Sequence, residues 1–432
     1  MNDHSFLQDF HHVATIGATS NNGVDRQAAT ANDAATRTWF AQWIQDTGFE
    51  LRVDGIGNMF GLVEWTPGAP YVLIGSHLDS QPLAGRFDGA YGVVAAMHAA
   101  QEISRRIKST GQAPKFNLAV VNWFNEEGSR FAPSLMGSSV FAGLFDQDET
   151  LAIVDPDNIS VRQALSEIGF LGTDPRPVPA AYAEIHIEQG RILEREGIDI
   201  GLVEHSWYTQ KLDIEVLGEQ SHTGATAMAD RHDALIAASK IVLMVHDVTK
   251  DYEEEALVSS IGRLSVEPNS PIVVARRVHL VADLRSGDPA IVRSAREKLL
   301  RDIEALAREH DIEIRVNDFD VRQIRYYPES GLELTAKTAG NLGLSTRRLA
   351  TMAGHDSVAM NSIVPTVMLF IPSVDGVSHC EREFTTDADM VKGLHMLTEV
   401  AQQLVHGKLT EGNDKDASFP SPERAAVGPS AS

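Results

Sequence analysis

Three apolar runs in this chain end in residues that bind cations. "YVLIGSHLDS" delivers His77 and Asp79, "AVVNWFNEEG" delivers Glu126 and Glu127, and "AYAEIHIEQG" delivers His186, Glu188 and Gln189. Two loop-like segments add to them: "AGRFDGAYG" with Asp88, and "DGVSHCEREF" with His379, Glu381 and Glu383. His, Asp and Glu without Cys are the donors expected for zinc or a comparable divalent ion in a catalytic role. Two ions ~3.5–4 Å apart need a shared carboxylate. Asp88 suits that part, because Gly85 and Gly89 let the backbone turn tightly around it. The adjacent Glu126 and Glu127 suggest a division of labour. One carboxylate sits on the ion, and the other takes a proton from water and later hands it to a leaving nitrogen. The residue types do not say which glutamate does which. Taken singly, each feature is ordinary: a Glu-Glu pair after a strand is commonly a solvated loop, and a strand-end histidine is commonly structural. Asp79 reads best as a partner that orients a histidine. The argument rests on joint occurrence.

The elements that must position these groups are legible from periodicity. "YVLIGSH", "KFNLAVVNWF" and "AYAEIHI" read as buried strands. "ANDAATRTWFAQWIQDTGF" reads as an amphipathic helix with Asn32 or Asp33 as N-cap, and "GAYGVVAAMHAAQEISRRI" as a helix of small residues. Strands alternating with helices predict an α/β fold with a mixed, mostly parallel sheet flanked by helices. Ligands of such sheets bind beyond the carboxyl ends of the strands. Near residue 207 the pattern changes to β-α-β-α-β, which predicts an α+β domain with helices on one face of an antiparallel sheet. The expected organisation is a larger domain of 1–206 and 328–407 that carries the candidate metal ligands, an inserted domain of 207–327, and a disordered tail of 408–432, rich in Pro, Ser and Gly.

Composition narrows the partners. The chain has 432 residues, 37 basic against 60 acidic, and a net charge of −23, which disfavours nucleic acid and anionic membranes. Its one cysteine, Cys380, excludes an intrachain disulfide and fits a reducing cytoplasm. The N-terminus lacks the features of a signal peptide, and no apolar run approaches the ~18 residues of a membrane span.

"GSHLDSQPLAGRFDGAYGV", "FNEEGSRF", "HIEQG", "SHTGATAM", "GRLSVEPN", "AGHDS" and "PSVDGVSHCEREF", in that order, resemble the hydantoinase/carbamoylase branch of the M20 metallopeptidase-like amidohydrolases. That branch includes N-carbamoyl-L-amino-acid hydrolases, β-ureidopropionase-type enzymes and allantoate amidohydrolases. The resemblance runs from roughly residue 10 to 405. It implies that His77 and His186 bind one metal ion, that Glu127 and His379 bind the other, that Asp88 bridges them, and that Glu126 is the general base and acid. It also implies two divalent ions per subunit, zinc foremost, with manganese, cobalt or nickel as alternatives. His186, where the peptidase relatives generally carry an acid, favours an amidohydrolase. The inserted domain is implied to be a dimerisation or lid domain of a homodimer. Its His222 matches a histidine that polarises the scissile carbonyl, and Arg285 an arginine that pairs with the substrate carboxylate. Gln189, Asn269, Gly354 and His355 match further substrate contacts.

The chain departs from the family pattern after Asn269: a second Asn, a usual substrate ligand, is here Ile272, and "HAG" is "HTG" with Thr223. An apolar side chain cannot donate to a carboxylate or ureido oxygen, and an unmet polar group costs on the order of 1–3 kcal/mol. The expected reaction is hydrolysis of the C–N bond of a small N-carbamoyl or related N-acyl amino acid. An allantoate- or ureidoglycolate-type amidohydrolase, or an M20 aminoacylase or dipeptidase, is the alternative.

Overall fold

A computed structural model describes residues 2–410. The described chain forms two compact units; the smaller comprises His205–Tyr326 and Ala350–Ala353.

The larger unit is built on an eight-stranded sheet. Its order is Glu50–Val53, Met59–Val63, Asn117–Trp123, Tyr71–His77, Pro179–Ile187, Thr366–Ile371, Ile200–Ser206, Thr346–Thr351. The four central strands, from Asn117–Trp123 to Thr366–Ile371, are mutually parallel. The pairings flanking them, to Met59–Val63 and to Ile200–Ser206, are antiparallel. The central strands are buried on both faces, which is why they read as near-continuous apolar runs. The helices Ala90–Thr110 and Asp387–Val405 pack on each other and on this sheet. Their small or aliphatic residues Ala95, Ala99, Leu394 and Leu397 are fully buried. Because the central strands are parallel, the loops after His77, Trp123, Ile187 and Ile371 all leave the same edge. Register places His77 opposite Trp123 and His186 opposite Phe370.

Two local expectations are corrected. The N-cap of the helix Ala31–Asp46 is Thr30, not Asn32 or Asp33; the Thr30 hydroxyl accepts the Asp33 N–H. Asp33 faces inward instead, accepting the Ala29 N–H at 2.7 Å and pairing with the buried Arg37 at 2.9 Å. At the other end of the chain, Lys408–Thr410 form a 3-10 turn with Leu409 buried, so the apolar Leu409 keeps the chain folded past 408. The rest of the expected tail, 411–432, lies outside the described residues.

The smaller unit is an antiparallel sheet in the order Glu313–Arg322, Tyr208–Leu217, Arg277–Ser286, Val258–Glu267. The helices Ala234–Asp247 and Pro289–His310 supply its core, with Ile241, Leu299 and Ile303 against Leu212, Ile214 and Leu280. The order is β-α-β-β-α-β, so one strand more than the sequence pattern suggested. Val258–Glu267 escaped notice because it is an edge strand, mostly exposed, with a bulge at Gly262 that breaks its alternation. No helix among the described residues is long and apolar enough to cross a membrane.

Candidate metal centre

The sheet edge gathers the predicted donors of the larger unit. His77 ends its strand with Nδ1 3.0 Å from the Asp79 carbonyl, and His186 has Nδ1 2.9 Å from the Ile187 carbonyl. A carbonyl only accepts, so each neutral ring carries its proton on Nδ1 and offers the Nε2 lone pair to the site. Asp88 lies between them. Its Oδ1 is 3.3 Å from His77 Nε2 and 2.9 Å from His186 Nε2, while its Oδ2 is 3.2 Å from His379 Nε2. His379 Nε2 is also 3.4 Å from Glu127 Oε2. Two donor sets result, His77–Asp88–His186 and Asp88–Glu127–His379, with the donor atoms of each set within 4.8 Å of one another. Gly89 permits the close approach, since a Cβ there would lie 2.4 Å from the His77 ring.

The glutamate pair is divided by the turn that follows its strand. Asp79 accepts both backbone N–H groups, Glu126 on Oδ1 and Glu127 on Oδ2, each at 3.2 Å. Asn125 at φ 49° and Gly128 at φ 65° make the turn. Glu127 then points at His379, whereas Glu126 stays out of both donor sets, with Oε2 3.6 Å from His77 Nε2.

The electrostatics of the site suit a divalent cation. Burial, then Asp356, Glu127 and Asp88, push the Glu126 carboxyl well above its usual range, against the pull of His77. Burial raises Asp79 to about 7 although His77 opposes it. Burial disfavours charge on His77, yet Glu126, Asp88 and Asp79 outweigh it and hold the ring well above its usual value. His379 is raised to about 10 in the same way, chiefly by Glu127 and Asp88 against burial. The acids thus collect protons on the histidines; divalent cations would take the place of those protons. Carboxylate and imidazole donors of this kind suit divalent cations.

Other predicted residues are placed as follows. Gln189, at φ 57°, donates from Nε2 to Asp88 Oδ2 at 2.7 Å, on the oxygen a cation would use. His355 is buried with its ring 4.6 Å from that of His186; burial and His186 keep it well below its usual pKa, and its Nε2 has no hydrogen-bond partner. Gly354 immediately precedes it. His222, Asn269 and Arg285 belong to the smaller unit. The exposed His222 accepts the N–H groups of Gly224 and Ala225 on Nδ1, at 2.9 and 3.0 Å, which fixes the proton on Nε2. Asn269 is exposed at φ 34°. Arg285 is held by Asp283 Oδ2, at 3.1 and 2.7 Å, and by the Met352 carbonyl at 2.9 Å.

Three acids of the sequence motifs do other work. Glu188 caps the helix Ile192–Glu196 by accepting the N–H groups of Ile192 and Leu193, at 2.8 and 2.9 Å. Glu381 binds Thr19 and Asn21, and Glu383 accepts backbone N–H groups of the Asp88 loop. Sequence reasoning missed Gln81, whose N–H and Nε2 reach Glu127 at 3.1 and 2.8 Å, and the buried Glu184, which accepts Ser76 Oγ and the Ser357 N–H, each at 2.8 Å. Nothing in the spacing marks Gln81; Glu184 was discoverable as an acid inside an apolar strand, two residues before His186.

The model of peptidase family M20/M25/M40 matches residues 73–403. A protein of Mycolicibacterium smegmatis, named only by the class hydrolase, is 48% identical over 414 residues, covering 94% of each chain. An N-carbamoyl-L-amino-acid amidohydrolase of Rhizobium meliloti is 36% identical over 378 residues, covering 86% of this chain and 89% of its own. Among solved structures, an amidase of the hydantoinase/carbamoylase family from Burkholderia vietnamiensis superposes with a TM-score of 0.89 at 32% identity, covering 94% of this chain and 98% of its own. The chain belongs to peptidase family M20/M25/M40, on the branch of the hydantoinase/carbamoylase amidases.

Proposed function

We propose that the protein is a dinuclear-metal amidohydrolase that cleaves the C–N bond of a small N-carbamoyl or related N-acyl amino acid. The observation that carries this reading is the split of Asp88, one oxygen facing each donor set, with Glu126 beside the pair and outside both. In this reading His77 and His186 hold one ion, Glu127 and His379 the other, and Asp88 both; zinc is the first choice on donor type. When bound, the ions supply Lewis acidity toward water and the scissile carbonyl. Glu126 takes the proton of the attacking water and returns it to the leaving nitrogen, which its high affinity for protons supports. His222 would be the donor to the developing oxyanion, a role that a proton on Nε2 supports. Arg285 pairs with the substrate carboxylate, and Gln189, Asn269 and the Gly354–His355 backbone complete the substrate contacts.

A homodimer is part of the reading. The helix Ala234–Asp247 exposes Leu235, Ile236 and Leu243, and the edge strand Val258–Glu267 beside it exposes Leu264 on the helix-covered side of the sheet, an apolar surface suited to a second copy. The single cysteine suits a cytoplasmic protein.

The test is ammonia and amine release from metal-reconstituted protein with N-carbamoyl-L-amino acids, allantoate, ureidoglycolate and N-acetyl or N-formyl amino acids. The expected result is metal-dependent ammonia from an N-carbamoyl amino acid. Ammonia from allantoate or ureidoglycolate alone would move the substrate to that class. Amine without ammonia would make the enzyme an acylase, and silence with two ions bound would overturn the substrate class.

A further inference from the structure

The geometry points to Glu383 as a positioning residue that locks the Asp88 loop to the His379 loop and so preforms the Asp88–Glu127–His379 donor set. This rests on the metal reading above and adds a residue that belongs to neither donor set.

Glu383 lies four residues after His379, and its own N–H closes a turn onto the Cys380 carbonyl at 3.0 Å. That turn sends the side chain back into the protein, where it is 4% exposed. Oε1 accepts two successive backbone N–H groups, Phe87 at 3.0 Å and Asp88 at 3.1 Å. Oε2 accepts the hydroxyl of Ser378 at 2.6 Å. One carboxylate therefore fixes the backbone of the bridging aspartate and the residue that precedes His379.

The contact leaves no slack. A Cβ on Gly85 would sit 2.0 Å from Glu383 Oε1, so the loop runs directly over the carboxylate. Ser378 sharpens the argument, because its Oγ is also 3.2 Å from Asp88 Oδ2. A hydroxyl has one proton, and the shorter contact takes it. Glu383 thus withholds that proton from Asp88 Oδ2, which leaves Gln189 Nε2, at 2.7 Å, as the neutral side-chain donor on that oxygen. His379 needs such help more than the other ligands. Its backbone is at φ 56° and its side chain is 49% exposed, whereas His77 and His186 are buried on strands.

The experiment titrates metal-free full-length protein with Co2+, following visible absorption and heat, for the parent, Glu383→Ala, Glu383→Gln and Ser378→Ala. Glu383→Ala is expected to bind one ion ~10- to 100-fold more weakly, the usual cost of losing a partner behind a metal ligand, and the other, whose histidines His77 and His186 stay fixed on strands, with a clearly smaller loss through Asp88. Glu383→Gln keeps an oxygen for the Phe87 and Asp88 N–H groups and is expected to recover most of that loss. Parental affinity for both ions in a folded Glu383→Ala protein would overturn the proposal, as would an equal loss of both ions in the Ala and Gln variants. If Glu383→Ala does not fold, Ser378→Ala decides: a smaller loss confined to one ion supports the proposal, and no loss overturns it. A parent that binds fewer than two Co2+ ions removes the metal reading and this inference together; a two-ion parent with unaffected variants removes this inference alone.

Discussion

The residues assigned to chemistry and those assigned to substrate recognition are built differently. In the larger unit, His77, Asp88, Glu127 and His186 are buried, and each is fixed by at least one partner besides the cation it would bind. His77 leans on the Asp79 carbonyl, Asp88 hangs its backbone on Glu383, and Glu127 is clasped by Gln81 and Asp79. In the smaller unit, His222 and Asn269 are exposed, and Ile272 is 66% exposed. There, His222 is held by two N–H groups of its own loop, and Arg285 is already occupied by Asp283. The difference teaches where change is tolerated. A buried donor set that shares one carboxylate fails if any member moves, whereas an exposed contact can be exchanged without disturbing its neighbours. The apolar Ile272 next to the strand that pairs with His222 is, in the proposed reading, an exchange of that kind.

Four changes should separate the buried donor sets from the exposed contacts. Asp88→Ala removes a ligand from both donor sets, so activity is expected to fall to background with at most one ion retained, read by metal analysis of the purified variant. His222→Ala should lower kcat by ~100- to 1,000-fold without touching metal content, the cost of one oxyanion donor; an equal loss of metal would show that the two regions are not separable. Metal binding itself should be pH-dependent. His379 in the metal-free protein holds its proton up to about pH 10, so an ion must displace that proton at neutral pH. Affinity should therefore rise with pH, by ~10-fold per unit for each proton released, and titration calorimetry in buffers of different ionisation enthalpy should count the protons. The smallest effect concerns Ile272→Asn. It should raise kcat/KM for N-carbamoyl amino acids by ~5- to 10-fold, the scale of one recovered hydrogen bond, with metal content unchanged. A decrease would mean that Ile272 meets an apolar part of the natural substrate.

Much of the site was readable before any coordinates, and the reason is physical. Parallel strands end at one sheet edge, so a histidine or acid that closes an apolar run is aimed at a common crevice. His77, Glu127 and His186 follow that rule, and Asp88 is betrayed by its flanking glycines. What stayed hidden depends on contacts between distant backbone segments. Gln81 meets Glu127 across 46 positions and Glu383 meets Asp88 across 295, with no periodicity to mark either. Glu188 looked like a site acid because it follows a strand, but two unpaired N–H groups at the next helix start claimed it. The edge strand Val258–Glu267 was lost for the opposite reason: nothing buries its outward face, so no hydrophobic alternation records it.

The most direct test of the account is Glu126→Gln, measured for bound ions per chain and kcat on the same preparation with the best ureido substrate. Glu126 lies outside both donor sets, so the variant should keep two ions and its fold while kcat falls by ~100- to 10,000-fold. Two ions with near-parental kcat would rule out Glu126 as the proton carrier.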